Sequence, residues 1–212
     1  MNATRPLRRR TALTVTAAAA ALALTACGDN GGNGGTPAAP TATATSAEAA
    51  TGQHNQADVT FAQGMIPHHR QAVAMSAMAA SHGASDEVKK LAENIKKAQD
   101  PEIETMAGWL KSWGEKVPQG MTMDEDMGHD MDGSPMPGMM DDQRMDDLDK
   151  MSGKAFDTMF LTMMIEHHKG AIAMAETEKK DGAYEPAKQL ADQIITTQKA
   201  EITQMETMLG KS

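Results

Sequence analysis

Two short segments carry the residue types best suited to holding a metal ion. Met65, His68, His69 and Met75 lie in the run Met-Ile-Pro-His-His-Arg-Gln-Ala-Val-Ala-Met. Met164, His167, His168 and Met174 lie in Met-Ile-Glu-His-His-Lys-Gly-Ala-Ile-Ala-Met. On a helix, at about 100° per residue, Phe61, Met65, His68, Ala72, Met75 and Ala79 share one face. Phe160, Met164, His167, Ala171 and Met174 repeat it. Met to His is i to i+3, and His68 to Met75 is two turns, so the three donors project together. Two thioethers and an imidazole form a soft donor set, suited to Cu(I) and poorly suited to Mg, Ca or Mn. His69 and His168 fall at the edge of the stripe, as ligands of a second site or as rim residues.

Ordinary packing is the competing explanation. A methionine at helical spacing is commonly core, and a buried histidine is commonly hydrogen-bonded. The repetition of Met-x-x-His-His, with a methionine seven residues beyond the first His, favours metal at His68 and His167. Glu102 and Glu201 interrupt the apolar stripes of the helices that follow. A carboxylate in such a place needs a partner, either a metal ion or a histidine. Counting outward from Gly83 sets Met65 level with Glu102 and His68 level with Gln99.

A second donor-rich stretch lies between the two segments. Met121, Met123, Met127, His129, Met131, Met136, Met139, Met140 and Met145 are interspersed with aspartates, glycines and prolines. An acidic linker explains the aspartates but not the thioethers, so the stretch reads as a metal-capture segment. Twenty methionines against 10 leucines in the whole chain, with 3% aromatic residues, point the same way. A core built on Met is soft and specifies its packing poorly.

The elements that must position these donors are copies of each other. An ungapped shift of 99 residues superposes Asp58 on Asp157, His68-His69 on His167-His168, Gly83-Ala84 on Gly182-Ala183, Gln99 on Gln198 and Glu102 on Glu201. It ends with Met106 on Met205 and Leu110 on Leu209. Each copy reads as helix, short turn, helix. One hairpin cannot bury its own apolar face, so two hairpins predict an all-α four-helix bundle. The domain spans 57–212, with hairpin one at 58–112, a Met/Asp-rich connection at 113–152 and hairpin two at 153–210.

The amino-terminal region is not part of that fold. Arg5, Arg8, Arg9 and Arg10 precede a short apolar stretch, Thr11 to Ala23, too short to span a bilayer. Leu24-Thr25-Ala26-Cys27 follows and resembles a bacterial lipobox. Residues 1–26 read as a lipoprotein signal peptide, Cys27 as the lipidated residue, and 27–56 as a flexible Gly/Ala/Thr/Pro tether. The expected location is the outer face of the cytoplasmic membrane, held by a lipid anchor. Cys27 is the one cysteine, so no disulfide is expected. Removing four arginines and no acids moves the formal charge from −9 to −13. Such a surface repels nucleic acid and attracts cations.

The runs 65–75 and 156–175 resemble the DUF305 family, over roughly residues 54 to 210. The resemblance implies a ferritin-like four-helix bundle. It also implies extracytoplasmic binding of copper or silver through Met65, His68, His69 and Met75 with Met164, His167, His168 and Met174. The expected function is Cu(I) or Ag(I) sequestration or handover, with a copper-handling partner protein and a homo-oligomer as candidate associations. The alternatives are a di-metal iron or manganese oxidoreductase using Glu102, Glu201, His68 and His167, and a metal-free structural bundle. Pro67, where the second copy has Glu166, predicts a kink in the first helix.

Overall fold

The structure is a computed structural model that describes residues 52–120 and 136–210. It is an all-α bundle, with no strand among the described residues. The helices are α1 Gln56–Met78, α2 Asp86–Trp113, α3 Asp142–Asp149, α4 Gly153–Asp181 and α5 Glu185–Met208. The signal peptide, Cys27 and nearly all of the tether lie outside the described residues. No described helix is long and apolar enough to cross a membrane.

Local signals start and stop the helices. Asn55 caps α1, accepting from the amides of Ala57 and Asp58, while Asp58 reaches back to the Asn55 amide at 2.6 Å. This reciprocal box satisfies donors that the first turn leaves free. Ser85 caps α2 at the Val88 amide, and Gly114 ends it in the left-handed region, φ 78°. Helix α1 runs unbroken through Pro67, and α2 through Pro101.

Each long helix pairs with its neighbour in sequence, α1 with α2 and α4 with α5, and the hairpins meet through α1 and α4. Helices α1 and α4 run antiparallel. The second half of α1 (Ala72, Met75) and its C-cap residue Ala79 share one apolar cluster with the first half of α4 (Phe156, Phe160, Met164). The first half of α1 (Phe61, Ala62, Met65) shares the other with Ala171 and Ala175 of α4. Each hairpin's turn is tied to the other hairpin. The Asp58 carboxylate accepts from the amides of Ala183 and Tyr184, and its counterpart Asp157 accepts from the amide of Ser85.

Residues 136–152, the second described part of the connection, are more ordered than their composition suggests. Residues 142–149 form the short helix α3, anchored by the buried Leu148. Met140 is buried, and Met145 packs against the same cluster. These two thioethers are therefore partly or wholly core, so packing accounts for part of a stretch whose methionines all read as metal-capturing. Local composition could not reveal this, because the apolar surface that receives them lies on the hairpins.

Candidate metal centre

The two apolar clusters occupy opposite halves of the bundle, and a polar layer separates them. On α1 the layer falls between Ile66 and Ala72, and on α4 between Ile165 and Ala171. On α2 it holds Gln99, between Ile95 and Met106, and on α5 Gln198, between Ile194 and Met205. His68, His69, His167 and His168 are all fully buried in it, and Gln99 and Gln198 nearly so.

His68 and His167 meet face to face where α1 crosses α4, with ring centroids 3.8 Å apart and planes tilted by 41°. The two repeated faces therefore bring their first histidines into one core. Burial drives the His68 pKa down to about 3, helped by the nearby His69. His167 is also driven well below the usual histidine value, by burial and then by His68. Both rings are neutral at pH 7, so no proton competes for their lone pairs.

Of the two readings of His69 and His168, the structure excludes the rim. Both residues are buried, and each donates from Nε2 to a carboxylate: His69 to Glu102 Oε2 and His168 to Glu201 Oε2, both at 2.7 Å. The cause is the two-sided burial of α1 and α4. Each packs on its hairpin partner and also on the other hairpin, so an edge residue of one stripe lies inside the second interface. Of the two roles open to Glu102 and Glu201, the structure places them on histidines. Glu102 meets His69, one turn beyond the Met65 that counting from Gly83 sets level with it. A carboxylate behind one imidazole nitrogen orients the ring and raises the basicity of the other, the usual arrangement behind metal-ligating histidines.

The layer has unspent hydrogen-bonding capacity. Nδ1 of all four histidines, Nε2 of His167, both amide atoms of Gln99 and Oε1 of Gln198 are buried with no hydrogen-bond partner among the described residues. Native interiors leave few such atoms. With Nε2–H directed at Glu102, Glu201 or Pro137 O, Nδ1 of His69, His168 and His68 carries the free lone pair. The residues present thus fit a metal that prefers imidazole nitrogen.

Thioethers flank the layer on both sides. Met75, Met164 and Met205 belong to one apolar cluster. Met65 and Met106 belong to the other, and the half-buried Met174 packs against it. Met106 and Met205 are not among the donors singled out by the sequence. Their match at a shift of 99 was the available signal that they accompany the two Met-x-x-His-His faces. Among the described residues, no group of three or more His, Cys, Asp or Glu side chains is placed to hold a metal. An ion in the layer would therefore draw on thioether sulfur as well as imidazole. Met121, Met123, Met127, His129 and Met131 lie outside the described residues. Met136 and Met139 are half-buried beside the bundle.

Known proteins share this architecture. A DUF305 protein from Streptomyces coelicolor is 33% identical, with a TM-score of 0.65 over 73% of this chain and 93% of its own. A DUF305 fragment from Deinococcus radiodurans is 28% identical, with a TM-score of 0.64 over 74% and 98%. CopM in its Cu(II)-bound form is 34% identical, with a TM-score of 0.58 over 71% and 94%. CopM also has a Cu(I)-bound structure, 32% identical with a TM-score of 0.57, and an Ag-bound one, 31% identical with a TM-score of 0.56. No functionally curated protein matches the chain. The model of DUF305, a domain of unknown function, matches residues 58–209, from the capping box of α1 to the end of α5, and the chain belongs to the DUF305 family.

Proposed function

We propose that this protein is an exported, lipid-anchored Cu(I)- and Ag(I)-binding protein that sequesters copper or hands it on outside the cytoplasm. The observation that carries the reading is the buried layer in which His68 meets His167. Its imidazole lone pairs are unspent, two histidines are backed by carboxylates, and thioethers stand on either side. That donor chemistry is soft, and soft sites select Cu(I). CopM, a relative at 32% identity, has a Cu(I)-bound form. The Streptomyces coelicolor relative is described as a secreted protein, which agrees with the signal-like residues 1–26 and with Cys27 as the lipidated position. In this reading His68, His167 and the flanking methionines are ligands. Met121, Met123, Met127, His129 and Met131 capture ions from solution.

A di-iron or di-manganese oxidoreductase would need several carboxylates on the metals, whereas Glu102 and Glu201 are each engaged by a histidine of their own hairpin. The test is an anaerobic Cu(I) titration of the soluble domain, of a His68→Ala/His167→Ala variant and of a 121–135 deletion. The intact domain should bind tightly and the double variant should lose the tightest class. Binding undiminished in both variants, or none in the intact domain, contradicts the proposal. A metal-free bundle is distinguished by melting, because a ligand of the native state must raise Tm.

A further inference from the structure

The two hairpins are copies, and several of their departures from each other line up along one short segment. Residues Pro137–Met140 cross the bundle where α1 meets α4. On α1, the Gln71 side chain grips this segment at both backbone groups of Met140. Its amide donates to Met140 O at 2.8 Å, and the Met140 amide donates to Gln71 Oε1 at 2.7 Å. At the matched position α4 has Gly170, where a Cβ would collide with the Pro137 carbonyl. Glu166, matched to Pro67, pairs with Arg144 of α3 at 2.7 Å and fastens the far side. His68 and His167 differ in the same way: His68 Nε2 donates to Pro137 O at 3.0 Å, and neither nitrogen of His167 has a hydrogen-bond partner among the described residues.

The histidine pair beneath is packed too tightly to share an ion as it stands. With metal–nitrogen distances of about 2.0–2.1 Å, two imidazoles on one ion place their ring centroids roughly 5 Å or more apart. Here they are 3.8 Å apart. One ring has to move, and His68 is the ring held from outside.

We propose that Pro137–Met140 is a strap that closes the His68–His167 site and lifts when a soft metal ion loads. This rests on the metal-binding reading above and adds its regulation. The closed strap holds His68 against His167 through the Pro137 carbonyl. Lifting releases Nε2 of His68, lets the rings separate and opens a path to the layer. Met140, buried with Met75 and Met164 in one cluster, moves with the strap, so loading also redistributes thioethers. An ion that binds only the open form has its apparent affinity reduced by the fraction open. Weakening the strap therefore speeds loading and tightens binding together.

The probe is Ag(I), added to the full chain, with two readouts. Hydrogen exchange of the Met140 amide reports the Gln71 contact in the wild type and needs no variant. Ag(I) association by stopped flow is compared for wild type, Gln71→Ala and Gly170→Ala. The two variants loosen the strap from opposite sides, so failure of one to fold leaves the other. The expected result is that Ag(I) accelerates exchange at Met140 at least tenfold. Gln71→Ala should then load about tenfold faster, the factor for losing one or two net hydrogen bonds. Ag(I) bound at the histidine pair with Met140 still protected, and variants loading at the wild-type rate, would overturn the strap and leave the metal site standing. No Ag(I) bound by the wild type would overturn both.

Discussion

Hairpin one and hairpin two are the same device built twice, and they agree most closely at the polar layer. His69–Glu102 and His168–Glu201 have the same partner atoms and the same 2.7 Å separation. Met65 and Met164 are equally buried, as are all four histidines. The copies diverge where something else attaches. Gln71 faces Gly170 in the alignment, Pro67 faces Glu166, and Ala79 faces Glu178. Asp58 accepts from three backbone amides of two segments, whereas Asp157 accepts from one. The shared features make the layer, and the private ones dock the connecting segment and close the ends of the bundle.

The largest effect is expected at the histidine pair. Replacing His68 and His167 together by Ala should weaken Cu(I) or Ag(I) binding at least a hundredfold, read by competition against a chromogenic chelator. Single replacements should fall between, and a single variant with wild-type affinity would show that the pair does not act as one site. Next in size are the supporting carboxylates. Glu102→Gln and Glu201→Gln should each lower affinity by about 10–100-fold, as losses of such partners do. Because the two pairs match, the two losses should agree within about threefold. A large inequality would mean that one hairpin carries the metal alone.

Stability tests the private features. Asp58→Ala removes a cap and the tie between α1 and the second turn, and should cost about 2–3 kcal/mol in urea unfolding. Asp157→Ala should cost about 1 kcal/mol, and equal costs would contradict the asymmetry. The smallest effect concerns pH. Burial and the adjacent Asp58 push the Glu178 pKa up to about 8, so the folded state holds a proton that the unfolded chain releases near its ordinary value of 4.5. Between those values the native state binds more protons, and stability falls as pH rises. Melting at pH 5 and pH 9 should show this decline in the wild type and a shallower one in Glu178→Gln. Parallel curves would remove Glu178 from the account.

Much of this was legible in the amino-acid sequence, for a definable reason. The 99-residue repeat and the helical spacing of Phe61, Met65, His68, Ala72 and Met75 specify two hairpins and the faces they bury. Those residues are buried as read. What escaped depends on which surface a residue meets, and periodicity along one helix does not encode that. His69 and His168 sit at the edge of one stripe but inside a second interface. Gln71 looks like an exposed polar residue until Pro137–Met140 is laid across it. The mismatch of Gln71 with Gly170 inside an otherwise regular repeat was the available sign. Leu148 in an acidic stretch was the corresponding sign for α3.

The central claim is that a soft metal ion is held by imidazole and thioether in the layer between the two clusters. X-ray absorption of the Cu(I)-loaded domain tests it most directly. The expected first shell mixes nitrogen and sulfur, and the nitrogen contribution is lost in the His68→Ala/His167→Ala variant. A shell of oxygen donors, or a spectrum unchanged by that variant, would contradict it.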